Sequence, residues 1–250
     1  MFLITFGDDW TLGSGVWYKP GMPKIVYENK EPHYDDSWRI IVRDYLGCQD
    51  NHINFATSQS SNQRQFALAK DYFNSKKFYD KRRKVHDEII VLWGLTTTRR
   101  DYKWCSDSRK YEDIIFKEKY LDKNNKDKLG YGLNKWSHHD DVATKELETE
   151  IVHWNIFFKA LGIKNYWFDS FNSKKYTIRP SNFFDIRSNN RDLLSLLCID
   201  HAMNKREYYE GWAGGPMNYA LNNRIVNPHT FVPKKEGHEV IAKYIIEKLS

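Results

Sequence analysis

The sequence predicts an α/β protein: a three-layer α/β/α sandwich around a mostly parallel sheet, with lobes inserted between its elements. Three observations predict it. Short apolar runs alternate with amphipathic stretches along the chain, the order that successive βα units produce. The run "EIIVLWGL" (88–95) is almost wholly apolar, as a strand covered on both faces must be. Each amphipathic stretch that opens on serine or stops on glycine carries a helix boundary signal.

The elements follow in order. "FLITF" (2–6) is the first strand, and "SWRIIVRDYLG" (37–47) carries apolar residues at 38, 41, 42, 45 and 46, a helical stripe closed by Gly47. A strand is expected over 52–57, beginning "HINFA", and then a helix over "SSNQRQFALAKDYFN" (60–74). The strand at 88–95 is followed by three threonines. A long helix, "VATKELETEIVHWNIFFKALG" (142–162), precedes a fourth strand in "NYWFDSFN" (165–172). The last helix is "KKEGHEVIAKYIIEKLS" (234–250), apolar at 240, 241, 244, 245 and 249. Residues 98–140 and 173–232 are less regular insertions rich in Tyr, Trp, Asn and charge. They are expected as lobes or lids above the carboxyl ends of the strands. No repeat, low-complexity segment or Pro-rich linker divides the chain, so 1–250 reads as one domain.

Composition sets further bounds. With 250 residues, 40% of them hydrophobic and 16% aromatic, the chain can bury one sizeable core. Its apolar runs are too short to span a bilayer, and the N-terminus enters a strand without the pattern of a signal peptide. Cys48, Cys105 and Cys198 are odd in number and lack metal-ligand spacing, which fits packing roles in a reducing setting. The net charge of +6 is concentrated in 74–88 and 117–130. Acids interrupt both stretches, which read as solvated basic loops; without a zinc finger, an RNA-recognition signature or a Gly-rich phosphate loop, nucleic-acid binding is the minority reading. No motif calls for a cofactor.

Four short motifs fall at strand ends: Gly7-Asp8-Asp9-Trp10-Thr11 with Gly13; "NFATSQSSN" (54–62); "WGLTTTRR" (93–100); and "NPHTFVPKKEGHEVIA" (227–242). Together they resemble the SGNH, or GDSL-like, hydrolase superfamily, and within it a branch of uncharacterised proteins of large DNA phages. The resemblance runs from Phe6 to Ala242 and includes "YWFDSFN" and "RDLLS". It implies a flavodoxin-like fold, a phage protein residing in the host cytoplasm or the virion, and an active site at the strand ends.

The same resemblance implies that the working positions have changed. The family's nucleophilic Ser is here Asp9. Its oxyanion-hole Gly and Asn are Gln59 and Thr96, and its general-base His is Val232, since Pro233 stands four residues before Gly237. The acid that orients the base would lie at Thr230 or His229. A Ser hydroxyl needs a base within hydrogen-bond reach, and an oxyanion needs preset donors. Val232 accepts no proton, and Asp9 would repel the charge that an acyl oxyanion develops.

Two function classes compete. One is a non-catalytic binding protein, or a phage structural or accessory component, taking a ligand or protein partner in the strand-end cleft, with carbohydrate the candidate ligand class. The other is a hydrolase or acyl transferase acting on esters, acetylated carbohydrate among them, with chemistry rebuilt on Asp9. Candidate ligand contacts are Asp8, Trp10, Ser61, Asn62 and Arg99. Asp8 is also a natural cap for the strand-to-helix turn, and Ser60, Ser61 and Asn62 for the helix that follows. Trp10, Trp93, Trp104 and Trp212 are a potential stacking surface, although a chain with nine tryptophans uses most of them in packing. "SHHDD" groups His138, His139, Asp140 and Asp141, ligand types that suit a divalent ion. Their place before a long helix favours capping and dipole pairing, and no metal is expected. His238 reads as a packing or capping residue.

Overall fold

The computed structural model describes residues 1–14, 35–84, 88–98, 100–105, 110–115, 140–170, 176–184, 192–205, 215–228 and 231–250. Its centre is a four-stranded, all-parallel sheet: β1 (Phe2–Phe6), β2 (His52–Asn54), β3 (Ile89–Leu95) and β6 (Lys164–Asp169), in the order β2-β1-β3-β6. Leu3 pairs with His52 and Ile90, and Trp93 with Trp167, which fixes the register across the sheet. A separate antiparallel pair, β4 (Arg100–Cys105) and β5 (Lys110–Ile115), follows β3.

Strand alternation divides the core in two, because successive side chains point to opposite faces. Phe2, Ile4, Phe6, Ile89, Val91 and Trp93 meet α3 (Asn62–Phe73), α4 (Lys76–Lys84) and α5 (Asp140–Ala160). Leu3, Ile90 and Leu92 face α2 (Trp38–Tyr45), α6 (Leu193–Lys205), α7 (Gly215–Asn222) and α8 (Lys235–Leu249). The α/β class and the three layers are therefore as the sequence predicts. On the first face the aromatics stack in series: Phe6 on Trp93 at 4.2 Å between centroids, and Trp93 on Trp167 at 4.7 Å. Phe183 and Trp167 extend the β6 side by one parallel bridge, beside which the Phe184 N–H donates to the Trp167 carbonyl at 2.7 Å.

Three details differ from the sequence reading. β2 ends at Asn54, whose side chain takes the Ala56 N–H (3.1 Å) and the Thr5 hydroxyl (2.8 Å), although the Phe55 and Thr57 N–H groups still donate to the Thr5 and Gly7 carbonyls beside it. The basic stretch at 74–88 is largely helix α4, where a loop reads naturally from its charge. Phe78 anchors it at 0% exposure, and Ser75 accepts the Phe78 N–H at its start. Within 173–232, α6 and α7 belong to the second core through Leu193, Leu197, Cys198 and Tyr219, and so form a layer where a lid was expected.

Candidate functional site at the strand ends

β1 stands between β2 and β3, and the chain leaves β1 and β3 toward opposite faces of the sheet. Such a divergence marks where α/β folds place a ligand crevice, at the carboxyl ends of the two strands. Asp9 follows β1 and Thr96 follows β3.

The first turn is built from close backbone approach. After Phe6 the chain turns through Gly7, and Asp8 caps the short helix α1 (Asp9–Leu12) by accepting the Trp10 N–H at 3.1 Å. A Cβ on Gly7 would lie 2.1 Å from Thr11 Oγ1, and one on Gly94 would lie 2.3 Å from the same atom. Only glycine at both positions lets α1 seat against the end of β3. Gly13 closes α1 in the left-handed conformation (φ 91°), against Ser37.

Asp8 and Asp9 then part company. Asp8 is fully buried, its Oδ1 capping α1. Asp9 is half-buried and held at both oxygens: Ser14 Oγ donates to Oδ1 at 3.0 Å, and the Gln59 N–H donates to Oδ2 at 2.8 Å. Gln59 has φ 57°, a left-handed conformation that glycine adopts freely and glutamine at a cost. The backbone there keeps a glycine-type turn while the side chain does not.

The second and third strand-end segments are tied by an amide. Asn62 Oδ1 accepts the Thr96 N–H at 2.9 Å, and Asn62 Nδ2 donates to the Thr96 carbonyl at 3.0 Å. Ser61 caps α3 by accepting the Arg64 N–H at 3.2 Å. Thr96 is buried, and its hydroxyl has no partner among the described residues. Gln65 joins the segments from beneath: its Oε1 accepts the Gly7 N–H at 3.0 Å, and its Nε2 donates to Ser60 Oγ. Sequence reasoning missed Gln65 and Ser14. Both look like ordinary helix and loop polar residues, and only the fold aims them at the turn.

The structure thus brings Asp9 and Gln59 into direct contact and links Gln59 to Thr96 through the start of α3. Val232 is 1% exposed in the second core, with Trp10 and Trp38 in the same cluster. Trp10 at 2% and Trp93 at 1% exposure are enclosed by protein and offer no face for a ligand to stack on. Arg99, His138, His139, Trp212, His229 and Thr230 fall outside the described residues, as does the side chain of Trp104. Asp140 and Asp141 open α5, Asp141 exposed. Among the described residues no group of three or more His, Cys, Asp or Glu could hold a metal, and no helix is long and apolar enough to cross a membrane.

His238 is fully buried at the start of α8, where its Nδ1 accepts the Trp38 N–H at 3.4 Å. Trp38 Nε1 in turn donates to the Trp10 carbonyl at 2.9 Å. Burial, seconded by the Arg39 charge, pushes His238 down to about 3, with the Pro233 backbone pulling weakly the other way. A ring held neutral in this way packs and accepts; it is not presented to the crevice.

Two solved structures are similar to the chain. One is a member of the lipolytic protein G-D-S-L family from Veillonella parvula DSM 2008, at 12% identity and a TM-score of 0.39 over 99% of this chain and 97% of that one. The other, from Bacteroides fragilis NCTC 9343, is described as an acylhydrolase, at 13% identity and a TM-score of 0.36 over 98% of this chain and 85% of that one. No protein-family model matches the sequence. No curated protein sequence matches it either.

Proposed function

We propose that this chain is an SGNH-type module that binds in its strand-end crevice and does not perform serine-type ester hydrolysis. One observation carries the reading: the Gln59 N–H, the donor that the motif resemblance assigns to an oxyanion, is engaged by the chain's own Asp9 carboxylate at 2.8 Å. An anion fixed there opposes the charge that acyl transfer develops. Losing one oxyanion donor costs about a hundredfold to a thousandfold in rate, and the loss of nucleophile and base compounds it. The phage-type motifs suggest that the ligand or protein partner belongs to a phage system, in the host cytoplasm or the virion, with carbohydrate the ligand class to try first.

A second reading is favoured by the exposure difference between the two acids. Asp9 is partly exposed while Asp8 is fully buried, and a partly open carboxylate can serve as an anionic nucleophile toward esters.

Hydrolysis of nitrophenyl acetate separates the two, measured for wild type, Asp9→Ala and Asp9→Ser, with and without divalent metal. The binding reading expects no turnover above background from any of the three, because a serine without a base stays protonated. Turnover by wild type that Asp9→Ala abolishes would establish the second reading.

A further inference from the structure

A groove of about 720 Å³ lies at the opposite rim of the sheet, where β1 and β2 begin, between β2 and the basic helix α4. Its volume falls in the range of small-molecule sites, roughly 300–1,000 Å³. Phe2, Ile53 and Tyr72 give it an apolar floor, and Lys76, Lys77 and Lys81 supply its charge.

The charge placement favours an anion. Lys76 and Lys77 occupy the first turn of α4, the positive end of the helix dipole, where no acid sits. Lys77 and Lys81 are one turn apart and repel each other, while Lys76 stands one turn from Asp80. Neither Lys76 nor Lys77 pairs with a described residue. Lys81 is held over the groove by Asn51 Oδ1 at 2.8 Å and lies 5.2 Å from the centre of the Phe2 ring. Tyr72 is 6% exposed, and its hydroxyl is buried without a partner among the described residues. Lysines beside a short edge strand also discourage strand addition. That role accounts for Lys81 but not for the Tyr72 hydroxyl or for cations at a helix start.

Asp50 and Asp80 line the same groove. They oppose an extended polyanion such as a nucleic-acid backbone, yet they accept hydrogen bonds from hydroxyl groups. Phosphate for the lysines, hydroxyls for the aspartates and a modest apolar face describe one kind of molecule. We propose that this groove binds a sugar phosphate or nucleoside monophosphate, at a site separate from the strand-end crevice.

Calorimetric titration of the whole chain with ribose 5-phosphate tests it, beside ribose, inorganic phosphate and an oligothymidylate. Ribose 5-phosphate should bind more tightly than either of its parts. Lys76→Gln with Lys77→Gln should weaken it about tenfold or more, since two charge-assisted contacts are lost. Tyr72→Phe should weaken it without lowering the melting temperature. Lys243→Gln with Lys248→Gln on α8 removes the same charge elsewhere and should leave binding unchanged. Absence of binding, equal binding by the Lys76/Lys77 double variant, or preference for the oligothymidylate would each overturn the proposal.

Discussion

The backbone N–H of Gln59 donates to Oδ2 of Asp9 across 50 residues of chain, at 2.8 Å. This bond joins the turn after β1 to the loop after β2, and it explains how a glutamine persists at φ 57°. Strain in the loop is offset by a charge-assisted bond that only this backbone conformation can aim. The two residues are best understood as one unit.

Removing the carboxylate should therefore loosen the loop more than it unfolds the protein. Asp9→Ala is expected to cost about 1–2 kcal/mol, around the bottom of the range for hydrogen bonds to charged groups, because Asp9 is partly exposed. Amide exchange at Gln59 should speed up about tenfold or more, since each 1.4 kcal/mol of protection is a factor of ten. Unchanged exchange at Gln59 in this variant would mean that the bond does not hold the loop.

Gln59→Gly should stabilise the fold. Relief of the left-handed conformation is worth about 1–2 kcal/mol, of which the extra freedom of glycine in the unfolded chain returns about 0.4–1 kcal/mol. A net gain of about 0.5–1 kcal/mol should appear as a higher urea midpoint with the slope unchanged. Gln59→Val should move the midpoint the other way, since a branched side chain tolerates positive φ poorly.

How much of this the sequence discloses depends on the range of the interaction. β1, β3 and β6 are legible because apolar runs bounded by turn signals form strands wherever they are covered, and Asp8 is legible as a cap from its place before α1. Helix α4 is not, because its charges mask the Phe78 anchor that decides it. α6 and α7 lie in a stretch whose polar flanks suggest a lobe, while Leu193, Leu197 and Tyr219 place them in the core. At the crevice, the pairing of Asp9 with Gln59 and the clamp of Asn62 on Thr96 join segments 50 and 34 residues apart. No local pattern specifies such contacts. Trp10 shows the converse: its position beside Asp9 suggests a ligand contact, and its burial at 2% exposure comes from α2 and α8 closing over it.

The glycine pair around Thr11 gives a selective rescue. Gly94→Ala places a methyl 2.3 Å from Thr11 Oγ1, and overpacking of this kind costs about 1–3 kcal/mol. Adding Thr11→Ala removes that atom and should restore most of the loss. Gly7→Ala meets Thr11 Cβ at 2.6 Å as well as Oγ1, so the same second change should not rescue it. Melting temperatures of the four variants decide the matter. Equal rescue in both backgrounds would show that the turn relaxes in some other way.

Acid should destabilise the protein before its carboxylates titrate, through two histidines held in neutral form, His238 fully buried and His52 partly so. Burial comes first among the causes at both. It brings His238 down to about 3 with help from Arg39, and His52 to about 4 with help from Arg39 and Arg43 against Asp44. Both native values lie below the unfolded value of 6.5, so the unfolded chain takes up protons first as pH falls. The stabilisation is fully present above pH 6.5 and is lost as pH falls toward the native values. Each ring contributes a slope of about 1.4 kcal/mol per pH unit in that window, so about 2 kcal/mol is lost per histidine between pH 6.5 and 5. Urea unfolding at pH 7 and pH 5 measures the drop in wild type, His52→Gln and His238→Gln. Glutamine at 238 also disturbs the packing around Trp38, so the informative quantity is the difference between the two pH values, not the stability at either. Each variant should lose about half of the wild-type pH dependence. A wild type equally stable at pH 7 and pH 5 would show that these rings protonate in the native state without resistance.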